Sequence, residues 1–106
     1  MSNSPTPILH YMLSLNNLFN VEVKDMVADK GQLYIIIKDE YYNKYYLIVY
    51  NIHEGTEKKY LLHLEFPINE IYSVQLSRMD DQINIFTLFQ SKKSLCLSIN
   101  QLQLGS

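Results

Sequence analysis

Between Ile8 and Phe19 the apolar residues fall three and four apart: Ile8, Leu9, Met12, Leu15, Leu18 and Phe19. That is the period of one helical face. Thr6 suits the N-cap, and Pro7 suits the first helical position, where no amide hydrogen is needed. Asn16, Asn17 and Asn20 suit the exit. The pattern predicts an amphipathic helix over residues 7–19 whose apolar stripe covers a sheet. Residues 1–6 are polar and read as a loose leader, with one domain over residues 7–104.

After Asn20 the period changes to two. Val21 and Val23 alternate with Glu22 and Lys24. Runs rich in β-branched and aromatic residues follow at 33–37, 45–52, 60–66, 71–76, 83–89 and 95–99. Strands at this spacing, with no helical stretch between them, predict antiparallel hairpins and an all-β domain with one N-terminal α-helix. The reversals have chemical reasons. Asp29-Lys30-Gly31 and His53-Glu54-Gly55 place glycine where a left-handed residue is needed. Asp80-Asp81 and Ser91-Lys92-Lys93 are polar turns, and Pro67 ends the run at 60–66 because it has no amide for a ladder.

An internal repeat accompanies the strands. At an offset of fifty, Met26, Gly31-Gln32-Leu33 and Ile35 lie over Leu76, Asp81-Gln82-Ile83 and Ile85; at forty-nine, Tyr50-Asn51 lies over Ile99-Asn100. Antiparallel strands repeating every ~40–50 residues are a propeller-type period. The run Tyr72-Ser73-Val74-Gln75-Leu76-Ser77-Arg78-Met79-Asp80-Asp81-Gln82-Ile83-Asn84-Ile85-Phe86 resembles the first two strands of a β-propeller blade. The resemblance covers roughly residues 21–102, without the Gly-His and Trp-Asp signatures of WD40 repeats. It implies two blade-like units, whereas closing a propeller takes at least four blades, roughly 160 residues at ~40 each. The chain is then a piece of a propeller, a two-blade module completed by another chain, or a small sandwich or barrel. A helix followed by a bent sheet is also similar to the Sm-like fold, as are Gly31-Gln32-Leu33 and Asp39…Asn43. The spacing from Gly31 to Asp39 is too long and no Arg-Gly pair follows, so RNA binding in that manner is not implied.

The central strands carry apolar residues on both sides. In a hairpin folded symmetrically about residues 54–57, Val49 faces Leu62, Leu47 faces Leu64 and Tyr45 faces Phe66 on one side. Tyr46, Ile48, Tyr50, Ile52, Leu61 and His63 take the other. A half-exposed antiparallel strand alternates apolar with polar. This sheet therefore needs two covers, at about 1.5–3 kcal/mol for each Leu, Ile or Val buried. The helix and a folded-over second hairpin supply part, and another protein surface is expected to supply the rest. The segment Tyr41-Tyr42-Asn43-Lys44-Tyr45-Tyr46 brings four tyrosines beside a hairpin tip, and tyrosine gives large contact area at low entropy cost. Tyr42, Tyr45, Tyr46, Ile48 and Tyr50 are the candidate partner-binding residues, and residues after Leu95 the candidate edge strand.

The 106 residues carry nine Lys+Arg against eleven Asp+Glu, a formal charge of −2. No basic excess exists to neutralise a phosphate backbone, which disfavours nucleic acid as a partner. No stretch reaches the ~18–20 apolar residues that span a bilayer. A single cysteine, Cys96, rules out an intrachain disulfide and a Cys-rich zinc site. His10, His53 and His63 have no ligand at metal spacing. No phosphate loop, nucleophile elbow, paired catalytic carboxylates or HEXXH pattern occurs. No catalytic residue, metal or cofactor is assigned. The expectation is a soluble intracellular protein, not an enzyme, that serves as a protein–protein interaction module or small subunit of a larger assembly or homo-oligomer. Two alternatives stay open. One is a small viral or phage-type inhibitor blocking a host enzyme. The other is an aromatic-faced β-domain binding a ligand or single-stranded nucleic acid.

Overall fold

The computed structural model describes residues 20–64 and 70–102. The predicted helix over 7–19, the leader 1–6 and the strand end at Phe66 and Pro67 lie outside the described residues. The described residues are all-β, in seven strands: β1 (Val21–Asp29), β2 (Gln32–Asp39), β3 (Lys44–Asn51), β4 (Thr56–Leu61), β5 (Ile71–Met79), β6 (Gln82–Ser91) and β7 (Ser94–Gln101). They form two antiparallel meanders, a first sheet ordered β1-β2-β3-β4 and a second ordered β5-β6-β7. The single bent sheet of the Sm-like comparison is therefore replaced by two separate sheets.

The repeat is visible in the strand starts. Val21, Gln32 and Lys44 open β1, β2 and β3; Ile71, Gln82 and Ser94 open β5, β6 and β7, each fifty residues on. The first turn of each sheet has two residues, and all four have positive φ: Lys30 (52°) and Gly31 (78°), Asp80 (54°) and Asp81 (61°). Two consecutive left-handed residues make a type I′ turn, whose twist matches that of the strands it joins. Each first strand also carries an irregularity, between Val23 and Asp25 in β1 and between Ile71 and Ser73 in β5.

The β3–β4 hairpin departs from the symmetric register. Val49 pairs with Lys58 rather than Leu62, and Leu47 pairs with Tyr60 rather than Leu64. The cause is the turn. Asn51 Oδ1 accepts from the amides of His53 (3.0 Å) and Glu54 (2.9 Å), and the Gly55 amide donates to the Asn51 carbonyl (2.9 Å). This side-chain cap closes the loop two residues early, at 52–55, and so moves every partner on β4 by four. Lys58 and Lys59 enter the strand, and β4 is exposed along its length.

The main core lies between the sheets. Tyr34, Ile36, Tyr45, Leu47 and Val49 of the first sheet meet Val74, Leu76, Ile83 and Ile85 of the second. The sides that meet are the near faces, and the opposite sides the far faces. On the far face of the first sheet, Ile35, Ile37 and Ile48 form a second buried cluster, with Val21 and Tyr46 packed against it. Strands β2 and β3 are thus buried on both sides, as their unbroken apolar runs require. A polar junction ties the sheets where β1 packs on β5. Asp25 Oδ2 accepts from the Leu76 amide at 2.6 Å, and Arg78 Nη1 donates to the buried Asp29 carboxylate at 3.0 Å.

Candidate functional surface

The candidate tyrosines divide among three environments. The loop after β2 is opened by Asp39, whose Oδ1 accepts from the amides of Tyr41 (2.9 Å) and Tyr42 (3.1 Å), and is closed by Asn43 at φ 56°. This geometry raises Tyr41 and Tyr42 into solvent as an edge-to-face pair, ring centroids 4.8 Å apart. Tyr45 stands in the main core, 3% exposed. Tyr46, Ile48 and Tyr50 alternate with it and so take the far face of the first sheet. There Ile48 is buried and the Lys59 ammonium sits 4.3 Å from the Tyr46 ring centroid. The five residues singled out from the sequence therefore occupy a loop, a core and the opposite face, and do not share one surface.

Electrostatics agree with this division. Burial pushes the Tyr45 hydroxyl above the ordinary tyrosine range, with Glu22 and Glu40 adding to it against Lys24. Burial does the same for Tyr34, reinforced by Asp29. Both stay neutral at physiological pH and act as core side chains. At the edge of β1, the Lys24 ammonium bonds Glu22 at 2.8 Å, which lowers the Glu22 carboxyl and raises the Lys24 ammonium.

A row of exposed apolar residues lies elsewhere, on the far face of the second sheet. Leu95, Leu97 and Ile99 of β7 are 62%, 59% and 53% exposed. Alternation sets them on one side, and across the ladder they pair with Gln90, Leu88 and Phe86. Phe86, Leu88 and Leu97 line a shallow depression with Ser73 and Gln75 of β5. Neither β6 nor β7 contains a charged residue. Strand β7 is also an edge of its sheet. Exposed edges are commonly guarded by Lys, Pro or inward-pointing charge, and β4, at the edge of the first sheet, carries Glu57, Lys58 and Lys59. β7 carries no such guard. The sequence marked residues after Leu95 as an edge; it did not mark Leu95, Leu97 and Ile99 as a surface row, because their alternation looks the same as that of a covered strand.

Groups with chemical potential are dispersed. Among the described residues no cluster of three His, Cys, Asp or Glu side chains could hold a metal ion. Cys96 is half-buried, its sulfur 4.0 Å from the Ser94 carbonyl. His53 packs beside Gly31, close enough that a Cβ added there would stand 3.2 Å from the imidazole Cδ2. No helix among the described residues is long and apolar enough to cross a membrane. No known protein family, curated protein or solved structure matches the chain.

Proposed function

We propose that the chain is a non-catalytic interaction module, one part of a larger protein assembly in which antiparallel sheets stack face to face like propeller blades. It works by offering an apolar, uncharged sheet face that another protein surface buries. The observation that carries this reading is the far face of the second sheet, where Leu95, Leu97 and Ile99 are each more than half exposed on an edge strand with no charged residue. A contiguous apolar patch on a small domain marks an interaction site or an aggregation liability. Tyr41 and Tyr42, paired at the loop tip, offer a second aromatic contact. An intracellular setting belongs to the same reading, on the half-buried unpaired Cys96.

The test uses the purified chain and a dye that fluoresces on apolar surfaces. The wild type is expected to enhance the dye strongly or to exceed the 12.5 kDa monomer mass in light scattering. Leu97→Lys is expected to lower both signals severalfold with an unchanged circular dichroism spectrum. A wild-type monomer that leaves the dye dark overturns the proposal.

A further inference from the structure

The repeat supplies an internal control for the exposed face. Within the first sheet, Ile36 pairs with Leu47 on the near face, and both are fully buried. An offset of fifty sets Phe86 at the place of Ile36 and Leu97 at that of Leu47, and both lie on the far face of the second sheet, where Phe86 pairs with Ile99 and Leu97 with Leu88. The same positions carry the same class of residue. Ile36 and Leu47 are sealed because the second sheet covers them; their counterparts, with Leu97 more than half exposed, have no sheet over them among the described residues.

The side that does the covering also has a counterpart. The second sheet covers the first with a near face on which Val74 pairs with Thr87 and Leu76 with Ile85. In the first sheet, Val23 pairs with Ile37 and Met26 with Ile35, pair for pair the same layout, on the far face. Val23 and Met26 are 61% and 59% exposed there, although Ile35 and Ile37 behind them are already buried. Among the described residues the chain thus holds a socket without a plug, on β6–β7, and a plug without a socket, along β1.

We infer that the far face of the second sheet, centred on Leu97 and Ile99, seats the β1 margin of the first sheet of a second copy of this chain, through Val23 and Met26. The inference rests on the interaction-module reading and names its partner. The contact is head-to-tail, using two different patches, so it propagates into a ring or an open stack instead of stopping at a two-fold dimer. It is weaker than the joint within the chain. Gln75 and Met79 of the second sheet stand where Asp25 and Asp29 make the polar junction of the first, so the apolar part alone is reproduced. Association is therefore concentration-dependent.

Sedimentation velocity on the full chain tests this, with Leu97→Lys blocking the socket and Met26→Lys blocking the plug. Both sites are more than half exposed, so neither substitution opens the core, and circular dichroism checks the fold. The wild-type mass is expected to rise with concentration, while each variant alone stays at the monomer mass. An equimolar mixture of the two variants is expected to restore one joint and stop at twice that mass. A Met26→Lys chain that self-associates like the wild type overturns the head-to-tail contact in favour of a face-to-face dimer. A wild-type monomer at every concentration that still lights the dye overturns self-stacking while the interaction reading survives, its partner being another protein. A monomer that also leaves the dye dark overturns both.

Discussion

Thr87 sits fully buried on the near face of the second sheet, and its hydroxyl oxygen has no hydrogen-bond partner. In the first sheet the corresponding residue is Ile37, an apolar side chain of similar width that pairs with Val23 as Thr87 pairs with Val74. A buried hydroxyl without a partner costs roughly 1–3 kcal/mol of desolvation. Thr87→Val keeps the shape and removes that cost, so it is expected to stabilise the fold by about 1 kcal/mol. An increase in the urea midpoint at unchanged slope checks this, and a lower midpoint would count against an orphaned hydroxyl. Tyr45 teaches the complementary lesson. Its chemistry suits a partner surface, but its position in the strand turns it into the cluster between the sheets, and the core claims it.

Turns decide how far each element reads from its own residues. The β1–β2 and β5–β6 turns have one geometry, but glycine occupies the second left-handed site only in the first. Asp81 holds φ 61° with a Cβ, at a cost of order 1 kcal/mol relative to glycine. Asp81→Gly is expected to stabilise the second sheet by about 0.5–1 kcal/mol, and Gly31→Ala to destabilise the first by a similar amount or more, since the new methyl group meets His53. Thermal melts of the two variants should therefore shift in opposite directions. The β3–β4 hairpin shows where element-level reading ends. Gly55 was visible as a turn residue, but the competing cap from Asn51 set the loop closure, and a shift of two in the loop became a shift of four across the ladder. The strands themselves were legible because alternation and β-branched runs are local signals. The register was not, because it depends on where the loop closes, and the Asn51 side chain that closes it early is one of many polar residues around the turn with no distinguishing mark in the sequence.

At the scale of the molecule the described residues of the two sheets hold together through an apolar core and a polar junction. The Leu76 amide points outward from β5, and the Asp25 carboxylate of β1 takes it at 2.6 Å. A hydrogen bond to a charged group contributes about 1.5–3 kcal/mol, and its loss leaves a donor at the joint unmatched. Asp25→Ala is expected to destabilise the fold by about 2 kcal/mol and to raise the exchange rate of the Leu76 amide ahead of those in the middle of β2. Equal protection of the two amides in wild type and variant would show that the core alone holds the joint. The Arg78–Asp29 pair has a half-exposed guanidinium, and salt screening keeps its share small.

The chain's own residues determined the strands, the left-handed turn positions, the fifty-residue repeat and the apolar character of both sides of β2 and β3. These are consequences of stereochemistry within a few bonds: a side chain every other residue on each face, and a Cβ that resists positive φ. They did not determine which apolar row is covered. Leu47 and Leu97 occupy matching places in matching strands and are the same residue, yet one is sealed and the other is more than half in solvent. That difference exists only once a second sheet has folded onto the first, because burial is a relation between residues some fifty apart rather than a property of either one.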